Sequence, residues 1–493
     1  MRWMIKDAIP LPQSEAPGEL KPIDIVIDGN KIIRLGNDLD PKELRIENVL
    51  SAQDKLIIPG LINAHLHSHD RFDKGRFDNL PLEVWMALYN PPTAGRDWTP
   101  RECYLRTILG CIEMIKSGTT TVIDDLHPGF PLSPECLDAV FQAYQDIGMR
   151  ARVTIAYADK PYYQTIPFLE ELLPQHLKPA PELYAEAGHD AVLNLWRDFA
   201  KRWKDRVQFI LSPSGPQRCT DGFLKKVWNL SEAYKLPVVV HVLETKVQAI
   251  TGRHFYGKSI VTHMQDLDLL TPLTVLVHCV WVDDHDIELI AKAGASVVHN
   301  PLSNLKLGSG VAPIGKMLEA GINVGIGTDN HNASDTANLF EAMKAAALIH
   351  KVSHHEYNKW TGAKEALHMA TLGGALCGGL SEETGKIEPG KKADLVLLDL
   401  NALSFFPKNN LLNQLVFSEN GTAVDTVIVD GNILMEGRRL ISVDEAEILR
   451  ELRERIKKIQ KKINAGIPDG RELEPYFRKA YYRSVEMGLI PNT

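Results

Sequence analysis

No stretch of the chain approaches the roughly 20 consecutive apolar residues that a membrane-spanning helix needs. The first residues, Met1 to Asp7, hold no apolar segment long enough for a secretion signal, so the expected location is the cytosol. There is no CxxC pair. The six cysteines (Cys103, Cys111, Cys136, Cys219, Cys279 and Cys377) are scattered, which argues against a disulfide framework and against a cysteine zinc site. A basic stripe is missing too: the net charge of -8 is spread along 493 residues without a long acidic tail, and nucleic-acid binding gains no support. The balance of 44% hydrophobic and 24% charged residues is that of a globular chain able to bury a large core and to form more than one domain.

The remaining features centre on one run, Ile57-Ile58-Pro59-Gly60-Leu61-Ile62-Asn63-Ala64-His65-Leu66-His67. It reads as a buried strand ending in two histidines one residue apart, and in an extended strand alternate side chains share a face, so His65 and His67 can reach one ion. Polar residues at the carboxyl end of an apolar strand suit a parallel-barrel enzyme, whose chemistry gathers where its strands stop.

Seven further β-type runs follow, separated by helical stretches: Thr119 to Asp125, Arg150 to Tyr157, Val207 to Ser212, Pro237 to Val242, Thr274 to Val280, Ala295 to His299 and Ile322 to Asp329. Eight strands alternating with helices predict an α/β fold, a (β/α)₈ TIM-type barrel over residues 59–380. The stretch from Ala158 to about Lys204 is the expected insertion, a lid or a surface elaboration. Apolar runs around the turn Asp28-Gly29-Asn30 predict a hairpin in residues 1–58, and a similar pattern returns at 393–398 and 426–432. One small β-sandwich built from both chain ends, 1–58 and 381–440, is expected. The tail, 441–493, opens on Ser442-Val443-Asp444-Glu445, read as a capping box, and continues as a helix with Ile448, Leu449, Leu452, Ile456, Ile459 and Ile463 on one face and Gly466 at its stop. That apolar stripe is free to cover the barrel or a second subunit.

Three more strands end in groups fit for metal or proton chemistry. They are His241 with Glu244 in Val240-His241-Val242-Leu243-Glu244, His278 in Val277-His278-Cys279, and Asp329 in Gly327-Thr328-Asp329. Three imidazoles and a carboxylate match the ligand preferences of Zn²⁺ or Fe²⁺. His127, His254 and His263 fall in no such pattern, and His69 is expected in solvent or in a supporting hydrogen bond.

The order HxH, His with Glu three residues on, His, then Asp resembles the amidohydrolase superfamily, in its chlorohydrolase and aminohydrolase branch, which includes triazine hydrolases and guanine, cytosine and S-adenosylhomocysteine deaminases. His299-Asn300-Pro301-Leu302-Ser303-Asn304 and Gly385-Lys386-Ile387-Glu388-Pro389-Gly390-Lys391-Lys392-Ala393-Asp394 extend the likeness over roughly residues 20 to 435. The resemblance implies one divalent metal, zinc or alternatively iron, on His65, His67, His241 and Asp329. No lysine stands on the fourth strand to bridge a second ion. Bound water would yield hydroxide near neutral pH to attack an sp² carbon, with Asp329 taking a proton, His278 holding the water and Glu244 protonating the leaving group. The implied reaction is release of ammonia or an amine from a nitrogen-rich heterocycle. Hydrolytic dehalogenation, or amide or urea cleavage, is the alternative on the same site, and a non-catalytic binding protein is the third reading. Asp70 and Asn304 are expected substrate contacts, and a homodimer or higher homo-oligomer is expected.

Overall fold

A computed structural model describes residues 2–11, 21–89, 91, 97–127, 133–179, 187–352 and 355–488. Parts of the predicted first sandwich segment (12–20), of the insertion (180–186) and of the tail (489–493) lie outside the described residues.

All eight predicted parallel strands are present. One sheet orders Asp329–Asn330, Leu61–His67, Thr119–Leu126, Arg150–Ile155 and Val207–Phe209, and a second orders Val238–Val242, Thr274–His278, Ser296–His299 and Val324–Ile326. Every pairing within them is parallel. Their edges meet twice. The Val239 amide donates to the Leu211 carbonyl at 2.9 Å, and on the far side Gly327 N donates to His299 O at 2.9 Å and Thr328 N to His65 O at 3.1 Å. The eighth strand is interrupted because residue 327 runs against its neighbours: a Cβ there would lie 2.4 Å from Asn300 Oδ1 and 2.7 Å from the His65 carbonyl, a fit open only to glycine. Ala64, Ile123, Ile210, Val239, Val275, Val277, Val298 and Cys377 fill the space between the strands. Each buried aliphatic side chain there stabilises by about 1.5–3 kcal/mol.

The helices follow from local chemistry. Pro100–Lys116 starts at a capping box of Thr99 and Glu102, with Pro100 where a missing N–H costs nothing. Its apolar residues, Leu105, Ile108, Ile112 and Ile115 among them, are buried against the strands.

Both chain ends enter one nine-stranded sheet, ordered Arg439–Leu440, Asn432–Glu436, Val424–Val429, Leu395–Asp399, Lys55–Pro59, Arg2–Pro10, Ile23–Asp28 and Lys31–Gly36, with Asn48–Ser51 also on Arg2–Pro10. Both expected hairpins form. The second turns on Asp430 and Gly431, whose φ values of 51° and 75° suit a two-residue loop. This sheet is tied to the parallel strands by buried Arg150, whose guanidinium donates to Asp394 at 2.8 and 3.1 Å and to Asp430 at 3.1 Å.

The tail departs from expectation in two ways. Helix Glu445–Ala465 is capped by Asp444, which accepts from Glu447 N at 3.0 Å, so the cap lies two residues beyond Ser442. Gly466 keeps right-handed geometry (φ −82°) and leads into a second helix, Ile467–Glu486, with Pro468 in its first turn. The stripe of Ile448, Leu452, Ile459 and Ile463 is buried within the chain, where Arg101–Glu451 and Lys462–Glu102 ion pairs join the first tail helix to Pro100–Lys116 and its start. No helix among the described residues is long and apolar enough to cross a membrane.

Candidate functional site

Strand ends bring five of the singled-out residues, His67, His241, Glu244, His278 and Asp329, to the wall of one pocket, with His65 fully buried beside them. Asn63 aligns the first strand with the eighth: its side chain donates to Thr328 Oγ1 at 2.8 Å and accepts from Thr328 N at 3.1 Å. Asp329 thereby falls opposite Leu66, with Oδ1 3.4 Å from His65 Nε2 and 3.2 Å from His67 Nε2. On the facing sheet Val242 pairs with His278, so His241 and His278 stand on adjoining strands. His278 Nε2 lies 3.6 Å from Glu244 Oε2 and 3.9 Å from Asp329 Oδ2.

The imidazole tautomers follow from their partners. His67 Nδ1 donates to the Asp125 carbonyl at 2.6 Å, and His241 Nδ1 to the Ser214 carbonyl at 2.7 Å. Both Nε2 atoms are left as lone-pair donors, and they face each other at 3.4 Å. Two lone pairs at that distance repel unless a cation stands between them. Beside them His65 Nδ1 and Nε2, Asp329 Oδ1 and Asp125 Oδ2 are buried without a hydrogen-bond partner. Ligand atoms of His65, His67, Asp125 and His241 lie within 4.8 Å of one another, as do those of His65, His278 and Asp329. The donor set therefore fits a divalent transition metal.

The electrostatics divide the roles. Burial opposes charge on Asp329, but the adjoining His65, His67 and His278 rings hold its carboxyl well below the usual range, so it is ionised. Burial also opposes charge on His67, yet Asp329, Asp125 and Asp70 favour positive charge beside its ring, which a divalent ion on Nε2 would supply in place of a proton. His278 is pushed down to about 4, mainly by burial, and is a neutral imidazole. Burial, with Asp329 and Glu83 nearby, raises Glu244 well above an ordinary carboxyl and so favours its protonated form. Leu243, His278, Cys279 and Asp329 all take left-handed backbone (φ 48–78°), so the strand ends carry roughly 1–2 kcal/mol of local strain per residue to aim these groups.

Two expected substrate contacts are corrected. Asp70 is buried and turned away from the pocket: it accepts from Asn330 Nδ2 at 2.9 Å, His331 N at 3.1 Å and Asn332 N at 3.4 Å, bracing the turn after Asp329. Asn304 accepts from His278 Nδ1 at 2.9 Å and is buried behind that ring, so it sets the tautomer of His278. His69 and His127 line the pocket, with His69 Nδ1 accepting from His127 N at 3.1 Å. His263, stacked on Tyr256, and His254, beside Phe168, lie outside it. Missed altogether were Asp125, Glu83, Gln217 and Arg218. Asp125 ends the second strand, where the rule that singles out His278 could have found it. The others sit in segments without periodicity.

The outer wall of the pocket comes from elsewhere. Leu82, Trp85, Met86 and Tyr89 lie on helix Leu82–Tyr89, Tyr162, Thr165 and Ile166 on the first part of the insertion, and Val247 on helix Lys246–Tyr256. Helix Ile467–Glu486 backs this wall, with Phe477 stacked on Tyr162 at 5.4 Å. The second part of the insertion, helix Ala187–Arg202, instead packs Phe199 on Phe141.

Buried imidazoles and carboxylates converging on one point suit a metal-dependent hydrolase. The chain belongs to the Amidohydrolase family, whose signature matches residues 56–434. It is similar to a 5'-deoxyadenosine deaminase of Methanosarcina mazei, 32% identical over 94% of this chain and 99% of that one. A 5-methylthioadenosine/S-adenosylhomocysteine deaminase of Caldanaerobacter subterraneus subsp. tengcongensis is 34% identical over 92% and 98%. Among solved structures, a zinc-bound adenosine deaminase from Xanthomonas campestris superimposes with a TM-score of 0.79 at 27% identity, covering 93% of this chain and 98% of that one. The chain is thus a metal-dependent aminohydrolase acting on a small molecule through a non-peptide carbon–nitrogen bond.

Proposed function

We propose that the enzyme deaminates an adenine nucleoside altered at its 5' position, with His65, His67, His241 and Asp329 holding one zinc ion. The relatives named for 5'-deoxyadenosine and 5-methylthioadenosine support the substrate class. So does the apolar wall of Trp85, Met86, Tyr162 and Ile166 facing the polar floor. A bound divalent ion makes water a nucleophile at neutral pH.

The protein's own groups supply the rest. Water adds its oxygen to the ring carbon that bears the amino group. Its proton passes to ionised Asp329, while neutral His278, its Nδ1–H committed to Asn304, offers Nε2 as acceptor to hold the water. Glu244 gives its proton to the ring nitrogen and takes back the proton of the adduct's hydroxyl, Asp329 passes the water's proton to the amino group, and the carbon–nitrogen bond breaks to release ammonia and the 6-oxo ring. The observation that carries this reading is the pair of facing Nε2 atoms at 3.4 Å, with Glu244 on the same pocket wall 3.6 Å from His278.

Two matters of architecture belong to the same proposal. The two parallel sheets close as one eight-stranded barrel over 59–380, and segments 1–58 and 381–440 form one β-sandwich, leaving 441–493 as a helical tail.

The test is ammonia release by zinc-loaded protein from 5'-deoxyadenosine, 5'-methylthioadenosine, S-adenosylhomocysteine and adenosine, with a chlorotriazine for comparison. Ammonia is expected in equal amount to the 6-oxo nucleoside formed. Halide release from the triazine without ammonia from any nucleoside would overturn the proposal in favour of dehalogenation.

A further inference from the structure

Glu83 takes no part in the steps above, yet its side chain is 3% exposed on the wall of the pocket. Its surroundings on helix Leu82–Tyr89 are apolar, with Leu82, Trp85 and Ala87 buried beside it. An aliphatic side chain would pack there at lower cost than a carboxyl, whose burial must be offset by a directed hydrogen bond. That bond is present: Glu83 Oε1 accepts from the Thr245 hydroxyl at 2.6 Å. The second oxygen, Oε2, is buried without a partner.

Thr245 directly follows Glu244 and caps helix Lys246–Tyr256, its Oγ1 also accepting from Gln248 N at 3.2 Å. Gln248 Oε1 returns to accept the Glu244 amide at 2.9 Å. On the other side, Leu243 turns the chain through left-handed backbone at φ 50°. The Glu244 turn is therefore held by its own helix through Gln248, and tied to helix Leu82–Tyr89 through Glu83. The Glu244 carboxyl itself stands 3.6 Å from the His278 ring, so its aim depends on where this turn is held.

We infer that Glu83 is a positioning residue for Glu244: by accepting the Thr245 hydroxyl it locks helix Leu82–Tyr89 to the turn that directs the proton donor at the substrate. The inference rests on the proposed role of Glu244.

Glu83→Met preserves volume and removes the acceptor, and Thr245→Val removes the donor. Each is expected to lower kcat about 10- to 100-fold with zinc retained and KM shifted by less than about threefold, because misplacing a reacting group by 1 Å costs on that order. The double variant should be no slower than Thr245→Val, since Glu83→Met removes only the bond that Thr245→Val, which also loses the helix cap, has already broken. Glu83→Gln retains an oxygen acceptor and should restore kcat to within about threefold. If Glu83→Met fails to fold, Thr245→Val against Thr245→Ser carries the test, with serine restoring turnover and valine losing it. Native kcat in Glu83→Met, or losses that multiply in the double variant, would overturn the inference while an inactive Glu244→Gln leaves the reading of Glu244 intact. Full activity in Glu244→Gln would overturn that reading itself.

Discussion

The floor and the mouth of the pocket are built on opposite principles. At the floor, His65, His67, His241, His278 and Asp329 stand at the ends of parallel strands, and neighbouring main chain fixes their orientation through bonds such as His67 to the Asp125 carbonyl. At the mouth, Trp85, Met86, Tyr162, Ile166 and Val247 come from two helices and an insertion, braced by a helix that begins about 400 residues after His67. The floor has hydrogen bonds, strain and little freedom. The mouth has apolar contact, which is non-directional and tolerates repacking. Under the proposed function, the strand ends would set the reaction type and the apolar mouth the substrate choice.

Removing a floor ligand should break the molecule most severely. In His65→Ala the bound metal, expected at about one per chain, should be lost and kcat should fall by at least about 10⁴. Elemental analysis with stoichiometric metal in that variant would remove His65 from the ligand set. Glu244→Gln removes a proton carrier but no ligand, so metal content should stand while kcat falls roughly 10²- to 10⁴-fold. Asn304→Ala deprives His278 Nδ1 of its acceptor and should cost about 10- to 100-fold in kcat with KM little changed. A KM effect alone would instead return Asn304 to the substrate.

At the mouth the pattern should reverse. Phe477, 2% exposed against Tyr162, packs the wall without meeting the reacting atoms. Phe477→Ala should lower stability by about 3–5 kcal/mol and raise KM severalfold, leaving kcat within about twofold. If kcat fell as much as KM rose, floor and mouth would not be separable. The mildest lever is pH. His278 must be neutral to accept a hydrogen bond, and because its ring is pushed down to about 4, activity should persist through pH 6 and fail only as pH drops toward 4, where the ring gains a proton. An acid limb at the ordinary histidine value near 6.5 would assign the limiting proton to another group.

The same division governs what could be read from residue order. Strand-end chemistry is legible because a strand repeats every two residues: His65 and His67 share a face wherever the strand sits, and an apolar run such as Val238-Val239-Val240 announces the residue that follows it. All eight parallel strands and both hairpins were visible in this way. Asp70 misled because proximity in sequence to His67 does not fix direction. The chain enters a 3₁₀ turn at Ser68–Asp73, which swings that carboxylate beneath the turn after Asp329. Asn304 is expected at the substrate, yet its side chain bonds His278, a contact that spans 26 residues and two elements and leaves no local pattern. Glu83 and Phe477 left no signal, because their importance arises from contacts with Thr245 and Tyr162 that no local pattern encodes.

The sheet shared by both chain ends has a consequence for how the molecule is made. Strand Lys55–Pro59 pairs with Leu395–Asp399, about 340 residues later in synthesis. At roughly 5–20 residues per second, that strand waits some 15–70 s with an open edge, the kind of surface on which chains associate wrongly. Its central residues, Leu56, Ile57 and Ile58, are 0–1% exposed once the fold is complete, so the waiting edge is apolar as well as unpaired. Pairing across so long a separation also places much of the ordering cost ahead of its reward, and slow folding should follow.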